Sequence, residues 1–526
     1  MLPEDCLVDI FEYLRNDFKS LNSCVRVNRI WNTSATSILW SNPWVIKELN
    51  GKSKDRRQIK LIDIYISSLP QQSKSFLQKK GFVIPKLSQP FIYNYTSLMK
   101  VLNISYIEDC VWTWVTNQRN GSIREFIQKV ELIILHLLQL IFKESNIRKI
   151  VAYYVSSNKD TLPQLIDIIT RVPDLGTCFS HLQEIECDST IPIIPKVFEM
   201  LIQYSKEVKR IVIKKYEDSV ELGDLIGNQT GLQDVIICHD NYNYQVSFTN
   251  QQVFEAIKVQ SKNLLRLELS SFDFPIHILE EFENLEELKL FRYGSALTTR
   301  EDLAPLATIS LKRLKKVIFH NWFLMNLDFF ARFFEHTNEE LREIVIKSSY
   351  SIADRQNTGK LVNSIGFYCS KLEALEIPVL PEDGQQMKNL LESCKKLQNV
   401  VIYNVNDNFH ILSSRRIILN QKDKVDHSQK MLKEAEEGNL LQIFTNHSSY
   451  NLNNLSIFGI EFSVKDIESF LEYRSLISRP ILFYLNFGID KQINKLLKRY
   501  KKRGILIEDE RTFIRKKSHV DKRRSF

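Results

Sequence analysis

One six-position frame returns throughout this chain. Ten segments carry it: HLQEIEC (181–187), EVKRIVI (207–213), GLQDVII (231–237), NLLRLEL (263–269), NLEELKL (284–290), RLKKVIF (313–319), ELREIVI (340–346), KLEALEI (371–377), KLQNVVI (396–402) and NLNNLSI (451–457). Each reads L-x-x-L-x-L with aliphatic or aromatic substitutes and one Cys. Looser copies are NIRKIVA (146–152) and PILFYLNF (480–487), the latter framed on Leu482, Leu485 and Phe487. Apart from one gap of 55 residues, the frames recur on average every 28. A period of this size means a stack of like units, because one unit cannot bury its apolar faces alone.

Each frame ends with period-two alternation, as in Leu288-x-Leu290, which places its last two apolar residues on one face of a short strand. Between frames lie helical patterns: LDFFARFF (327–334), GKLVNSIGFYC (359–369) and GQQMKNLLESC (384–394). Strand and amphipathic helix thus alternate, which predicts an α/β fold with parallel strands. The residue three before the frame is small in five copies (Ser205, Ser261, Cys369, Cys394 and Ser449), where the chain must turn from helix into strand. The long gap predicts a degenerate repeat between 403 and 451, near RRIIL (415–419). This pattern is similar to leucine-rich repeats, which implies a solenoid with strands on the concave face and helices on the convex face. Many leucine-rich repeats keep Asn or Cys after the strand. Here that position holds Tyr216, Phe272, Tyr293, Trp322, Val405 and Ile460, so bulky plugs are expected in place of an asparagine ladder.

The chain opens differently, with MLPEDCLVDIFEYL. Leu7, Ile10, Phe11 and Leu14 fall at i, i+3, i+4 and i+7, one face of a helix. Pro3 suits a first helical position, Glu4 and Asp5 suit the positive helix end, and Ser20 can cap a second helix. Two or three short helices in some forty residues are expected to be too few to bury Leu7, Ile10, Phe11, Leu14, Trp31 and Trp40 among themselves.

These residues carry a second resemblance. Leu2, Pro3, Leu7, Ile10, Phe11, Leu14, Leu21, Cys24, Val27, Trp31, Leu39 and Trp40 follow in order the landmarks of an F-box. With the cysteine-bearing frame at 369–377, the whole resembles F-box proteins with leucine-rich repeats. The resemblance implies that those twelve residues bind a Skp-family linker subunit, and through it a cullin–RING ubiquitin ligase. It also implies an adaptor with no catalytic residues of its own. The expected division is 1–45 for the F-box, 46–145 for a helical linker and cap, 146–490 for the repeats, and 491–526 for a basic helix and tail.

Composition fits this picture. Glycine is scarce, at 15 of 526 residues, fewer than an all-β or dinucleotide-binding fold uses in its turns. The net charge of +8 is local: residues 491–526 hold 14 Lys/Arg against 4 Asp/Glu, a net of +10, leaving −2 for the rest. That tail, with KLLKRYKKRG (495–504) and RKKSHVDKRR (515–524), reads as a solvated end, a nuclear import signal or a phosphate-contacting segment. The eight cysteines are spread singly with no CxxC pair, so reduced thiols in a cytoplasmic or nuclear protein are expected. Glu4 and Asp5 stand where a signal peptide would be basic. VELIILHLLQLIF (130–142) carries Glu131, His136 and Gln139, and reads as a buried helix rather than a membrane span. HExxH, GxxxxGK[ST], GxGxxG and GxSxG do not occur. No metal, cofactor or catalytic group is therefore expected.

In such repeats the strand residues between frame positions face solvent. The candidates for target contact are Lys214, Lys289, Phe291, Arg292, His320, Lys347, Tyr403 and Phe458, with aromatic and Arg side chains that suit a protein interface. The reading is an adaptor whose repeats select a protein for ubiquitination. The alternatives are a ligase-independent interaction scaffold, or a nucleic-acid-associated protein using the basic end.

Overall fold

A computed structural model describes residues 3–44, 52–85, 90–118, 123–153, 172, 178–191, 194–216, 219–238, 251–270, 274–291, 303–320, 326–337, 339–347, 354–404, 439–477, 480–486 and 491–506. They fall into two compact units, Met1–Asp240 with Asn250–Asn263, and Asn241–Thr249 with Leu264–Phe526.

The first unit begins with helices α1 (Glu4–Tyr13), α2 (Phe18–Cys24), α3 (Arg29–Ser41), α4 (Lys52–Ser68) and α5 (Gln71–Lys79). Strand β1 (Val101–Asn103) leads into α6 (Ile104–Asn117) and α7 (Ile123–Glu144). Then follow β2 (Lys149–Ala152), β3 (Glu184–Asp188), α8 (Ile194–Tyr204), β4 (Arg210–Lys214), α9 (Val220–Gly227), β5 (Asp234–Ile237) and α10 (Gln251–Val259). Each strand pairs in parallel with the next, from β1 to β5. The frame residues lie beneath them, with Ile150, Ile185, Ile211, Ile213, Val235 and Ile237 buried. The helices bury matching stripes, such as Val253, Phe254, Ala256 and Ile257 of α10.

The second unit repeats the scheme with β6 (Arg266–Ser270), β7 (Glu287–Phe291), β8 (Lys316–His320), α11 (Leu327–Glu335), β9 (Glu343–Lys347), α12 (Thr358–Tyr368) and β10 (Ala374–Val379). It continues through α13 (Gly384–Ser393), β11 (Asn399–Asn404), α14 (Leu440–His447), β12 (Asn454–Phe458), α15 (Val464–Ile477), β13 (Leu482–Asn486) and α16 (Lys491–Lys502). Strands β6 to β13 again pair in parallel in chain order. Between β6 and β7 a 3₁₀ turn, Ile276–Glu281, replaces the helix. Only 21 residues separate those two frames, too few for a full helix and its turns.

The steps share one backbone device. The carbonyl just ahead of one strand accepts two N–H groups from the segment entering the next. Lys100 O takes Arg148 N–H at 2.8 Å and Lys149 N–H at 3.0 Å, and Arg148, Gln183 and Lys209 repeat those distances. In the second unit Leu265, Glu286, Lys315, Arg342, Glu373 and Gln398 do the same.

The small-residue position is a packing site: Ser205, Ser261, Cys369, Cys394 and Ser449 are all buried. Cys394 Sγ donates to Cys369 O at 3.3 Å. In one repeat buried Gln229 stands there instead. Its amide donates to Ser205 O and Leu225 O and accepts from Val208 N–H, so it satisfies backbone that a Ser cannot reach.

Several expectations are corrected. The strand ladder starts before 146, at β1. Its register against β2 makes Met99-x-x-Leu102-x-Ile104 a further frame, buried at all three positions. The last frame is shifted by two residues. Pairing of Asn454 with Leu482 puts Phe483 and Leu485, not Leu485 and Phe487, at the inward positions. Strand β11 pairs directly with β12, so no strand from the long gap enters between them. The RRIIL segment lies outside the described residues. Among the expected plugs Tyr216 and Ile460 are buried; Phe272, Tyr293, Trp322 and Val405 lie outside the described residues.

The helices at 327–334, 359–369 and 384–394 form as expected, and the apolar run at 130–142 is the buried stretch of α7. Among the described residues no helix is long and apolar enough to cross a membrane.

Helices α12 and α13 meet where Gly366 faces Leu390. A Cβ at Gly366 would lie 2.9 Å from the Leu390 Cα, which is backbone and cannot swing aside. Gly366→Ala is expected to cost about 1–3 kcal/mol by urea unfolding. Gly231→Ala, with nothing within 4 Å of its Cβ, should shift stability by less than about 0.5 kcal/mol.

Candidate docking module and exposed sheet face

The N-terminal module is three short helices with two side-chain caps. Asp17, rather than Ser20, caps α2: its carboxylate accepts Ser20 N–H at 3.1 Å and the Ser20 hydroxyl at 2.7 Å. Those bonds hold the Asp17 carboxyl below its ordinary range. Asn28 caps α3 by accepting Trp31 N–H at 2.9 Å. Pro3 stands one residue ahead of α1, where its carbonyl accepts Leu7 N–H at 3.2 Å.

The expectation that so few residues could not cover the apolar comb is overturned in part. Leu7, Phe11, Leu21, Ala35 and Ile38 form a buried cluster, and Leu14, Cys24, Trp31 and Leu39 pack half-buried against it. Phe11 and Trp31 meet edge to face with centroids 5.2 Å apart. Helices α1, α2 and α3 each contribute to this cluster, with the small Ala35 buried among the larger side chains. Trp40 turns the other way, with Tyr95 at 4.1 Å and Tyr65 at 6.2 Å.

What stays outside is specific. Ile10 is 46% exposed, Val27 57%, Tyr13 93% and Ile30 37%. Pro3 is exposed as well, and Leu2 lies outside the described residues. Tyr13 and Ile30 were not among the residues singled out from sequence. The i, i+3 spacing of Tyr13 from Ile10 was the available signal.

The module is bound to the first strand. Lys100 N–H donates to Ser41 O at 2.8 Å, occupying the same place in the frame as Arg148 N–H on Lys100 O. Buried Trp44 donates its indole N–H to Val101 O at 3.0 Å, satisfying a carbonyl of the edge strand. Tyr93 bonds Asn32 Oδ1 at 2.5 Å.

The second candidate surface is the exposed sheet face, and its two parts belong to different units. In the first unit Lys214 joins a cluster around Glu186. Lys149 Nζ lies 2.7 Å and Lys214 Nζ 2.9 Å from that carboxylate, and the Tyr153 hydroxyl donates to it. Lys214 also sits 4.5 Å over the Tyr153 ring. Partial burial opposes ionisation of Glu186, but the bonds from Lys149, Tyr153 and Lys214 outweigh it and hold its pKa at about 2. In the second unit the register aligns Phe291, His320 and Lys347 in one row and Tyr403 with Phe458 in another. Lys289 pairs with Glu268 at 3.1 Å. Arg292 lies outside the described residues.

Comparison with known families matches residues 1–45 to the F-box-like family model. Comparison with curated proteins found no match. Fold and match together define a protein of parallel strand–helix units that begins with an F-box-like module.

Two outcomes follow from these contacts. Phe11→Ala is expected to destabilise the first unit by about 3–5 kcal/mol. Ile10→Glu should stay within about 0.5 kcal/mol of wild type, as an exposed substitution does. Urea midpoints separate the two.

The Glu186 carboxyl is held from an ordinary 4.5 down to about 2, so its contribution to folding is present above 4.5 and fades as the pH falls toward 2. The stability gap between wild type and Glu186→Gln should therefore be widest near neutral pH and close across that interval. A gap constant with pH would contradict the assignment.

Proposed function

We propose that residues 1–45 dock a Skp-family linker subunit and, through it, a cullin–RING ubiquitin ligase. The repeat region, from β1 to about 490, is read as a leucine-rich-repeat solenoid whose exposed sheet face holds a target protein. The observation that carries the reading is the composition of the module's surface. It matches the F-box-like family, closes its own core, and still presents Ile10, Tyr13, Val27 and Ile30 to solvent. Exposed large apolar residues gathered on so small a module suit a protein interface. Of the other members of the twelve-residue set, Pro3 is exposed beside it, Leu7, Phe11, Leu14, Leu21, Cys24, Trp31 and Leu39 support that surface from beneath, Trp40 ties it to the rest of its unit, and Leu2 lies outside the described residues.

The mechanism is proximity. Holding target and ligase together raises the effective concentration of target lysines near the charged ubiquitin carrier, and asks no chemistry of the adaptor. A module bonded to β1 favours this, because a fixed joint keeps that concentration from being diluted by a flexible tether.

The test is co-purification with a Skp-family subunit. Wild type should retain it. Ile10→Glu and Val27→Glu should lose at least tenfold in affinity while their urea midpoints hold. Equal retention by wild type and both variants would show that docking lies elsewhere. No retention by wild type would favour a ligase-independent scaffold.

A further inference from the structure

The exposed face of the second unit is graded along its strands. At the N-terminal ends, charges pair between neighbouring strands: Lys315 with Glu286 at 2.7 Å, Lys316 with Glu343 at 2.5 Å, and Arg342 with Glu373 at 3.5 Å. Midway, Lys289 pairs with Glu268 at 3.1 Å, and half-buried Ile318, Val345 and Val401 share that level. At the C-terminal ends the side chains are mostly aromatic. Phe291 lies 5.6 Å from His320, and Phe458 reaches back to within 5.4 Å of Tyr484, which belongs to the middle level and is itself 38% exposed. The Tyr403 hydroxyl donates to Ile346 O, two strands away, so its side chain lies across β10 at Pro378. Lys347, the cation in this band, is held by Glu376 at 2.9 Å.

We infer that this C-terminal band receives an extended, uncharged segment of the target, rich in aromatic and aliphatic side chains, rather than an acidic or phosphorylated one. The inference rests on the reading of the sheet face as the target surface and adds the chemistry of what binds there. Charge complementarity carries it. The named cations of the face already have carboxylates from adjacent strands, so an acidic ligand would have to break an existing pair for each one it makes. A neutral apolar segment breaks none and covers half-buried rings that water solvates poorly. The band runs from Phe291 on β7 to Phe458 on β12, five strand spacings or about 24 Å, which an extended segment of about seven residues spans.

The experiment is selection of phage-displayed random dodecapeptides on the full-length chain, followed by solution affinities of the selected peptides. The expected peptides are uncharged and rich in Phe, Trp, Leu or Ile. They should bind at least tenfold more weakly to Phe291→Ser and to Ile318→Lys, and change less than about twofold between 0.05 and 0.5 M salt, since apolar contacts are not screened. Lys347→Ala should leave them bound. Ile318→Lys guards against collapse of the Phe291 variant, with both checked by urea midpoint.

Acidic peptides, or stronger binding by phosphoserine versions of the selected peptides, lost in Lys347→Ala or at high salt, would overturn the apolar assignment while keeping the face. Peptides indifferent to every face variant, or no enrichment, would overturn the use of this face. Neither result touches Skp-family docking, which the Ile10 and Val27 variants test separately.

Discussion

The doubly accepting carbonyl at each step is the constraint on which the rest depends. A strand of five residues has little cohesion alone, and parallel pairing is slightly weaker per residue than antiparallel. By taking two N–H groups from the next segment, residues such as Lys100, Arg148 and Gln183 fix where each strand begins. A slip of one residue would turn every inward aliphatic outward. The frame then follows: the position before the carbonyl is buried in one layer, and the fourth and sixth positions in the next. Strand edges need separate treatment because they carry unpaired backbone groups. Ser41 and Trp44 complete the first strand. In the second unit α16 buries Ile493, Leu496 and Tyr500, and Ile481 N–H bonds Ile505 O at 2.8 Å.

That arrangement gives the N-terminal module two faces with different work. Its inner side holds Phe11 against Trp31 and sends Trp40 toward Tyr65 and Tyr95, which packs the module against the rest of its unit. Its outer side keeps Ile10 and Val27 in water. Core packing and solvent exposure thereby fall to neighbouring residues of one helix: Phe11 is buried, and Ile10, about 100° around the helix from it, is exposed. The charges follow a similar economy. Glu186 draws Lys149, Lys214 and Tyr153 together, and in the second unit Lys289 and Lys347 are taken by carboxylates one strand away. Long-range attraction by the sheet face is thus reduced.

Much of this was legible in the sequence because period two and period 3.6 report burial directly. The frames at 182, 208, 285 or 372 could be read without ambiguity, and so could the stripes of the intervening helices. MKVLNI (99–104) escaped because Asn103 doubles as the cap of α6, accepting Tyr106 N–H at 3.0 Å, and its third apolar residue already lies in the helix. PILFYLNF was misplaced because Phe483, Leu485 and Phe487 are apolar at one parity, so alternation does not choose between registers two residues apart; pairing with β12 does. Ser20 looked like a cap because it has the right side chain, but Asp17 stands three residues earlier, where the helix begins. The self-covering of the module depends on α1 meeting α3 through Phe11 and Trp31, a tertiary contact that no linear pattern reports. Lys289 and Lys347 looked available because sequence spacing hides neighbours one strand away.

The most direct measurement is amide hydrogen exchange on the full chain, alone and with a Skp-family subunit. In the free chain, α1–α3 should exchange as slowly as the segment around Lys100 and β1. The added subunit should slow exchange in α1 and around Val27–Ile30 and leave β2–β5 unchanged. A module that exchanges rapidly on its own, or that gains no protection from the subunit, would contradict this reading.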